Sequence, residues 1–186
     1  MKNIFITGCI LILLGVISFY SLIWTKEVES FKRTPADQPF EFSSWLGSFP
    51  ESIVKETKNE DLVRFTIVRS FHVPVVITLN LNSKALNITR LEYVNGEHID
   101  DKVSVQAVIS ESELKSVIED VRDYLRFPEE KQSGFGLDGA TWIIELTYNG
   151  KYYTSSRWSP RSGSMNKLGT SLFNLAEKEL LLGPLY

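Results

Sequence analysis

The segment from Arg157 to Ser164, RWSPRSGS, carries the most suggestive group of side chains in the chain. It places two arginines and three serines directly before a predicted helix. The first turn of a helix has backbone N–H groups without intrahelical acceptors, and the helix dipole adds partial positive charge there. A carboxylate or phosphate group could therefore dock at this helix start. The predicted anion- or partner-binding site comprises Arg157, Arg161, Ser162 and Ser164.

A structural interpretation of the same segment stays open. Ser162 or Ser164 could cap the helix with its hydroxyl, and Arg157 could pair with Glu145 or Trp142 across a predicted hairpin. In that case, these side chains would stabilise the fold without binding anything.

Asp138, Glu145 and Arg157 form a second candidate group around the same hairpin. Carboxylates beside a cation can serve in acid–base catalysis when folding brings them into one pocket. A small hydrolase or transferase is therefore an alternative hypothesis, and it depends on that convergence. Ser112 and Lys115 match the Ser-x-x-Lys pattern, but the other acyl-transfer motifs are missing, so chance explains this match.

A glycine-rich stretch from Gly134 to Gly139 matches the G-x-G-x-x-G pattern. Dinucleotide-binding loops follow a strand and open a helix, so that the helix start meets the pyrophosphate. Here a predicted helix precedes the loop and a predicted strand follows it. The context favours a structural loop, and we predict no cofactor.

The histidines, His72 and His98, give no metal-ligand pattern. A structural zinc site takes four Cys or His ligands, and the one cysteine, Cys9, lies in an apolar segment. Glu97, His98, Asp100 and Asp101 lie together in a predicted loop, but their spacing is not that of a calcium-binding loop. We therefore predict no metal site.

Composition and charge exclude several classes of protein. The chain has 186 residues, of which 43% are hydrophobic and 12% aromatic, and these values are typical of one ordinary globular domain. Lys2 is the only charged side chain before Thr25, so residues 25–186 hold 19 basic and 23 acidic side chains, a net charge of −4. Such an acidic domain is a poor general binder of nucleic acid, because phosphate neutralisation needs a basic face.

The N-terminal residues predict a membrane anchor. Ile4 to Trp24 contains no charged residue, and at 1.5 Å per residue it would span about 31 Å, close to the thickness of a bilayer's hydrocarbon core. Tyr20 and Trp24 lie at its far end, where aromatic rings favour the headgroup level. We expect an uncleaved signal-anchor with the domain outside the cytoplasm, although the Lys and Arg count does not settle the orientation.

Two other interpretations of the N-terminus stay open. A cleaved signal peptide needs small residues at the cleavage site, whereas bulky side chains follow the apolar core here, from Phe19 to Trp24. A lipoprotein signal at Cys9 would leave most of the apolar stretch unexplained, because that stretch follows the cysteine.

The predicted organisation has three parts: residues 1–24 as the anchor, residues 25–39 as a polar tether, and residues 40–186 as a single α+β domain. Phe40 and Phe42 could begin the fold, with Trp45, Leu46 and Phe49 packing behind them. With no cysteine after Cys9, disulfides and thiol chemistry are excluded for the domain.

Residue periodicity predicts six strands and two helices. Segments rich in β-branched and aromatic residues predict strands at 62–71, 73–81, 85–94, 102–109, 140–148 and 151–158. Ser110 and Glu113 fit a capping box before an amphipathic helix at 111–126, and a second helix is predicted at about 164–181. Asn149-Gly150 predicts a two-residue turn that pairs Trp142 with Arg157. The order of elements favours a mainly antiparallel sheet with helices on one face.

A set of positions between Gly136 and Pro160 recurs elsewhere: Asp138-Gly139, Trp142, Glu145, Gly150, Tyr152, Arg157-Trp158 and Ser159-Pro160. Together they resemble a pattern in uncharacterised bacterial membrane-anchored proteins. The resemblance implies no activity and no residue role.

We expect a non-catalytic binding or scaffolding protein of the cell envelope, held by the membrane and able to bind a protein partner, because no complete catalytic set is present. An alternative is an inhibitor or immunity-type protein of an envelope-active toxin, in which the acidic domain covers a basic site. The small hydrolase described above is the other alternative.

Overall fold

An antiparallel sheet and two helices form the fold. The computed structural model describes residues 60–94, 97–127 and 138–185 together with Ala36, and for residues 91–94 and 97–102 it describes only the backbone. These residues confirm the predicted α+β class. The elements are β1 (Leu62–Arg69), β2 (Val75–Asn80), β3 (Ala85–Val94), β4 (Glu97–Val108), α1 (Glu111–Arg126), β5 (Ala140–Tyr148), β6 (Lys151–Trp158) and α2 (Gly163–Glu177).

The first strand lies in the interior of the sheet. The strand order is β4-β3-β2-β1-β5-β6, and each neighbouring pair is antiparallel. All eight side chains of β1 are buried, those on both faces alike. A strand buried on both faces needs a continuous hydrophobic and β-branched sequence, and LVRFTIVR supplies it with two arginines as the exceptions.

The β5–β6 hairpin forms as its turn sequence predicts. Asn149 and Gly150 have positive φ angles of 50° and 70°, as a type I′ turn requires. The predicted register is confirmed: Tyr148 pairs with Lys151, and Trp142 pairs with Arg157. This register fixes which side chains of the hairpin share a face.

Both helices pack on one face of the sheet. Gly169 of α2 lies against the rings of Trp142 and Phe65, and the hydroxyl of Tyr124 in α1 is 2.7 Å from that of Ser155. The register places Phe65, Trp142 and Ser155 on the same side of the sheet, which we call the helix face. The predicted apolar stripe of α2 is buried there: Met165, Leu168, Leu172, Leu175 and Ala176.

The start of α1 confirms the predicted capping box. The Ser110 hydroxyl accepts from the backbone N–H of Glu113, and the Glu113 carboxylate accepts from the backbone N–H of Ser110 at 2.9 Å. α1 occupies the predicted range, and its buried side chains are Leu114, Val117, Asp120, Val121 and Tyr124.

Most predicted boundaries lie within two residues of those in the structure, and two are wrong by four residues or more. β4 begins at Glu97 rather than at residue 102, so the acidic segment predicted to be a loop is strand. Its register with β3 shifts at one point: Leu91 pairs with Lys102, but the next residue, Glu92, pairs with Ile99. Asp100 and Asp101 therefore lie in a β-bulge, opposite no residue of β3.

α2 ends at Glu177 rather than at residue 181. The helix closes in a turn, in which the N–H groups of Glu179 and Leu180 both donate to the carbonyl of Ala176. Further along, the carbonyls of Leu182 and Pro184 accept from the guanidinium of Arg69.

The predicted anchor at residues 1–24 lies outside the described residues, as do the predicted packing residues Phe40 to Phe49. Within the described ranges, neither helix is long and apolar enough to cross a bilayer.

Candidate functional site

The loop from Arg157 to Ser164, which we call the 157–164 loop, is held at its start by Ser159. Ser159 has a positive φ of 37°, and its hydroxyl accepts from the backbone N–H of Ala140 at 2.9 Å. A Cβ at Gly139 would lie 2.4 Å from that hydroxyl oxygen and 2.9 Å from the Trp158 ring, so this position requires glycine. Gly139, just before β5, and Ser159, just after β6, therefore pack closely against each other.

The end of the loop is held against both helices. The side-chain amide of Asn166 donates to the carbonyl of Pro160 at 2.8 Å, and the Ser164 hydroxyl donates to the carbonyl of Phe127 at 3.0 Å. The second bond satisfies a carbonyl at the end of α1, where four carbonyls lack intrahelical donors. The α2 start and the α1 end therefore lie side by side.

Arg161 and Ser162 are exposed at the start of α2. Ser162 is the N-cap residue, but its side chain makes no capping hydrogen bond, and the first turn of α2 contains no acidic residue. Ser162 thus occupies the N-cap position without a capping bond from its hydroxyl, and the Ser164 hydroxyl bonds to the end of α1. The start of α2 combines backbone N–H donors with an exposed arginine, a combination that favours an anion.

Arg157 is half-buried at the end of β6, on the helix face beside its cross-strand partner Trp142. Of the four predicted site residues, the structure thus places Arg161 and Ser162 on an exposed surface. Ser164 instead bonds to the end of α1, and Arg157 lies on the helix face of the sheet.

The catalytic group postulated from Asp138, Glu145 and Arg157 does not converge. Glu145 pairs with Thr154 and Arg157 pairs with Trp142, and these pairs are three residues apart along the strands. Because successive side chains alternate between faces, Glu145 and Arg157 project to opposite sides of the sheet. The geometry therefore gives no support to a hydrolase built on these three residues.

Glu145 belongs instead to a buried polar cluster on the face away from the helices. Its carboxylate accepts from the Tyr152 hydroxyl at 2.8 Å and lies 3.9 Å from the guanidinium of Arg64. The Nε of Arg64 donates to the Thr78 hydroxyl at 3.1 Å. Glu145 is 0% exposed and Arg64 is 3% exposed, so the charges compensate each other in the interior. We call these four residues the Arg64–Glu145 cluster.

Two hydroxyls near this cluster lack hydrogen-bond partners among the described residues. One is Oγ1 of Thr154 in β6, the cross-strand partner of Glu145 in β5. The other is Oγ1 of Thr66, two residues along β1 from Arg64. Thr66 is 1% exposed. A buried hydroxyl without a partner costs about 1–3 kcal/mol, so each of these positions weakens the fold unless something else binds there.

Sequence reasoning missed two features. It did not find Arg64, since an arginine within a continuous apolar strand gives no sign that it faces Glu145; only the β1–β5 register shows it. It also did not find Phe127, which is 50% exposed beside the 157–164 loop.

The chain matches no protein-family model, no curated protein and no solved structure.

Proposed function

We propose that the chain is a single-pass membrane protein whose α+β domain lies outside the cytoplasm and binds a partner without catalysis. The uncharged run from Ile4 to Trp24 supports the anchor. The exposed start of α2 supports binding, because Arg161 and Ser162 lie at a helix start with no acidic residue in its first turn. This surface is the single observation that carries the proposal of a binding role.

The loop is suited to binding because its conformation is held before any partner arrives. Ser159, Asn166 and Ser164 each fix one part of it through a hydrogen bond to the backbone. A preorganised surface spends little conformational entropy on association. The side chains between these fixed points are then free to serve recognition.

The binding role is tested with a simple anion. Inorganic phosphate is titrated into the full-length chain in detergent micelles, and NMR follows the backbone amides of residues 162–164. We expect saturable shifts that Arg161→Ala weakens severalfold, and that Lys151→Ala, an exposed charge on the β5–β6 turn, leaves unchanged. Shifts that are absent, or equal in both variants, would refute an anion site.

The anchor and its orientation are tested separately. In a Cys9→Ser background, single cysteines replace Lys2 or Lys151, and intact cells are treated with a membrane-impermeant maleimide. We expect labelling at position 151 in intact cells, and at position 2 only after lysis. The chain is expected to stay in the membrane pellet at alkaline pH with its mature N-terminus upstream of Trp24. Release from the membrane would contradict the anchor.

The inhibitor or immunity-type alternative shares this placement and stays a prediction. It differs in requiring that the acidic domain cover a basic site on a toxin. A toxin gene adjacent to the gene for this chain would favour it.

A further inference from the structure

One face of the sheet is buried although neither described helix lies over it. We call this face, opposite the helix face, the cluster face, because it carries the Arg64–Glu145 cluster. Its buried side chains are Leu62, Arg64, Thr66, Val68, Val76, Ile143 and Glu145. Both described helices lie on the helix face, and a sheet buried on both sides needs a layer on each. The cluster face therefore needs a cover from elsewhere in the chain.

The burial stops partway across the sheet. On the cluster face of β3 and β4, the side chains are exposed at Asn87, Ser104, Gln106 and Val108. On β6, Ser156 is exposed and Thr154 is half-buried. The covered strip therefore extends from β2 over β1 and β5 to the near side of β6. At about 4.8 Å between strands, the strip is about 10–15 Å wide, which suits a segment of chain rather than a whole domain.

Residues 37–59, which lie outside the described ranges, have both of their ends at the same end of this strip. The backbone N–H of Ala36 donates to the carbonyl of Tyr152 in β6 at 2.8 Å. The carbonyl of Glu60 accepts from the Thr147 hydroxyl of β5 at 2.8 Å. Tyr152 and Thr147 are cross-strand partners whose side chains lie on the cluster face. The chain therefore leaves and re-enters the described structure beside one pair of residues.

The length and composition of residues 37–59 suit the strip. These 23 residues reach at most about 75–80 Å, whereas the eight residues of β1 span about 26 Å, so the segment can cross the strip and return. Its large apolar side chains are Phe40, Phe42, Trp45, Leu46, Phe49, Ile53 and Val54. Such side chains gain stability from burial, and the strip offers apolar partners in Leu62, Val68, Val76 and Ile143.

We propose that the cluster face is the docking surface for residues 37–59 of the same chain, which form the second layer of the domain over β1 and β5. The domain then begins at Ala36, four residues before the predicted boundary, and the tether is confined to residues 25–35. Residues 33–186 form one compact unit, in agreement with this start. The Arg64–Glu145 cluster lies between the two layers, so this docking is independent of phosphate binding at the start of α2.

Two other occupants fit less well. Residues 128–137 follow the end of α1, which lies on the helix face, and they contain two large apolar side chains, Phe135 and Leu137. A second copy of the chain or a partner protein is not required, because the cluster face is already buried within a single chain.

Photo-cross-linking tests where the segment lies. In the full-length chain in micelles, the photoreactive residue p-benzoylphenylalanine replaces Trp45, and mass spectrometry locates the cross-link. We expect intramolecular cross-links to cluster-face residues of β1 and β5, such as Thr66 and Ile143. The same photoreactive residue at Gln106, on the exposed part of the cluster face, should give none with residues 37–59. Cross-links to α1, α2 or residues 128–137, cross-links between two chains, or none to the cluster face would overturn the proposal.

Thiol protection gives a second readout. In a Cys9→Ser background, Ile143→Cys should react with a maleimide at least a hundredfold more slowly than Gln106→Cys, because Ile143 lies under the segment and Gln106 does not. When Phe40→Ser, Trp45→Ser and Phe49→Ser are added, the rate at Ile143→Cys should rise at least tenfold. A rate that stays unchanged would mean that other residues cover the face.

Leu172→Cys, in the layer of the helices, is the control for unfolding and should stay protected with the three serines present. If this thiol becomes reactive as well, the substitutions have unfolded the whole domain, and cross-linking from the native segment decides between the proposal and its alternatives.

Discussion

At the scale of single residues, several positions of the Gly136–Pro160 pattern have structural roles. Gly139 leaves room for Ser159 and Trp158, and Gly150 supplies the positive φ of the hairpin turn. Trp142 packs edge-to-face on Phe65 with ring centroids 4.9 Å apart. Glu145 and Tyr152 bond to each other in the interior. These positions of the pattern therefore serve the folding of the β5–β6 hairpin and its packing within the sheet.

Removing the hydroxyl of Thr66 should increase the stability of the fold. Valine has nearly the same shape as threonine, and the Thr66 hydroxyl has no hydrogen-bond partner among the described residues. We expect Thr66→Val to raise the free energy of unfolding by about 1 kcal/mol, because the desolvation cost of the hydroxyl disappears. Urea unfolding of the full-length chain in micelles, followed by tryptophan fluorescence, measures it.

Thr147 provides the matched control. Its hydroxyl accepts from the backbone N–H of Leu62 at 3.1 Å and donates to the carbonyl of Glu60 at 2.8 Å. Thr147→Val should therefore lower stability by about 1–2 kcal/mol. Equal losses in both variants would mean that the Thr66 hydroxyl is bonded after all, to a ligand or to water.

At the scale of elements, α1 and α2 are joined by ion pairs along their length. Lys178 binds Glu113 at one end, and Lys167 binds Asp120 and Asp123 further along. Hydrogen bonds to Asp123 and Asp120 raise the pKa of Lys167. Hydrogen bonds from Lys178 and Ser110 lower the pKa of Glu113 from 4.5 to about 2.

The lowered pKa of Glu113 predicts an acid-dependent loss of stability. Between pH 4.5 and about 2, the unfolded chain binds the proton that the folded chain does not, so stability falls as the pH is lowered through this range. Glu113→Gln should flatten that part of the curve of unfolding free energy against pH. Glu111→Gln, which removes the exposed partner of Lys84, should keep the slope. High salt should weaken the effect of Glu113, and a slope unchanged by Glu113→Gln would refute the assignment.

Gly169 sets the distance between α2 and the sheet. Replacing a helical glycine with alanine normally stabilises, by up to about 1 kcal/mol. Here the added Cβ would lie 2.7 Å from Trp142 and 3.0 Å from Phe65, so we expect Gly169→Ala to lower stability by about 1–3 kcal/mol instead. Thermal unfolding measures it, with Asn174→Ala on the exposed side of α2 as a control that should change little. A stabilised Gly169→Ala would show that the helix can move away freely.

The sequence predicts elements well where the determinants are local. The hairpin register follows from Asn149-Gly150, and the start of α1 follows from Ser110 and Glu113, because each is decided within a few residues. The start of β4 could not be predicted, because pairing with β3 extends this strand back to Glu97.

At the scale of the whole molecule, the candidate site shows the same difference between features that neighbouring residues determine and features that distant residues determine. The α2 start was predictable from the loop sequence, whereas the Arg64–Glu145 cluster depends on residues 81 positions apart that only the sheet order brings together. Which face a charged residue occupies is a property of the topology. The sequence contains Glu145 and Arg157 close together, and the topology separates them.

Arg69, the last residue of β1, connects the sheet to the C-terminal segment that follows α2. It is 6% exposed, and its guanidinium donates to the carbonyl of Val73 in the β1–β2 loop and to those of Leu182 and Pro184 after α2. Arg90 of β3 donates to the carbonyl of Leu181. Backbone carbonyls of the last described segment therefore depend on arginines from the first half of the sheet.

This arrangement predicts energetic coupling between Arg69 and the C-terminal segment. Arg69→Met keeps most of the apolar stem but removes the donors, and should cost about 2–3 kcal/mol. A chain ending at Leu180 should also be destabilised, because Leu182, 3% exposed, leaves the core and the guanidinium loses two acceptors. Since both changes break the same hydrogen bonds, their combined cost should be smaller than the sum, by about 1–2 kcal/mol in a double-mutant cycle measured by urea unfolding. Additive costs would mean that the hydrogen bonds from Arg69 to Leu182 and Pro184 do not contribute to holding the C-terminal segment.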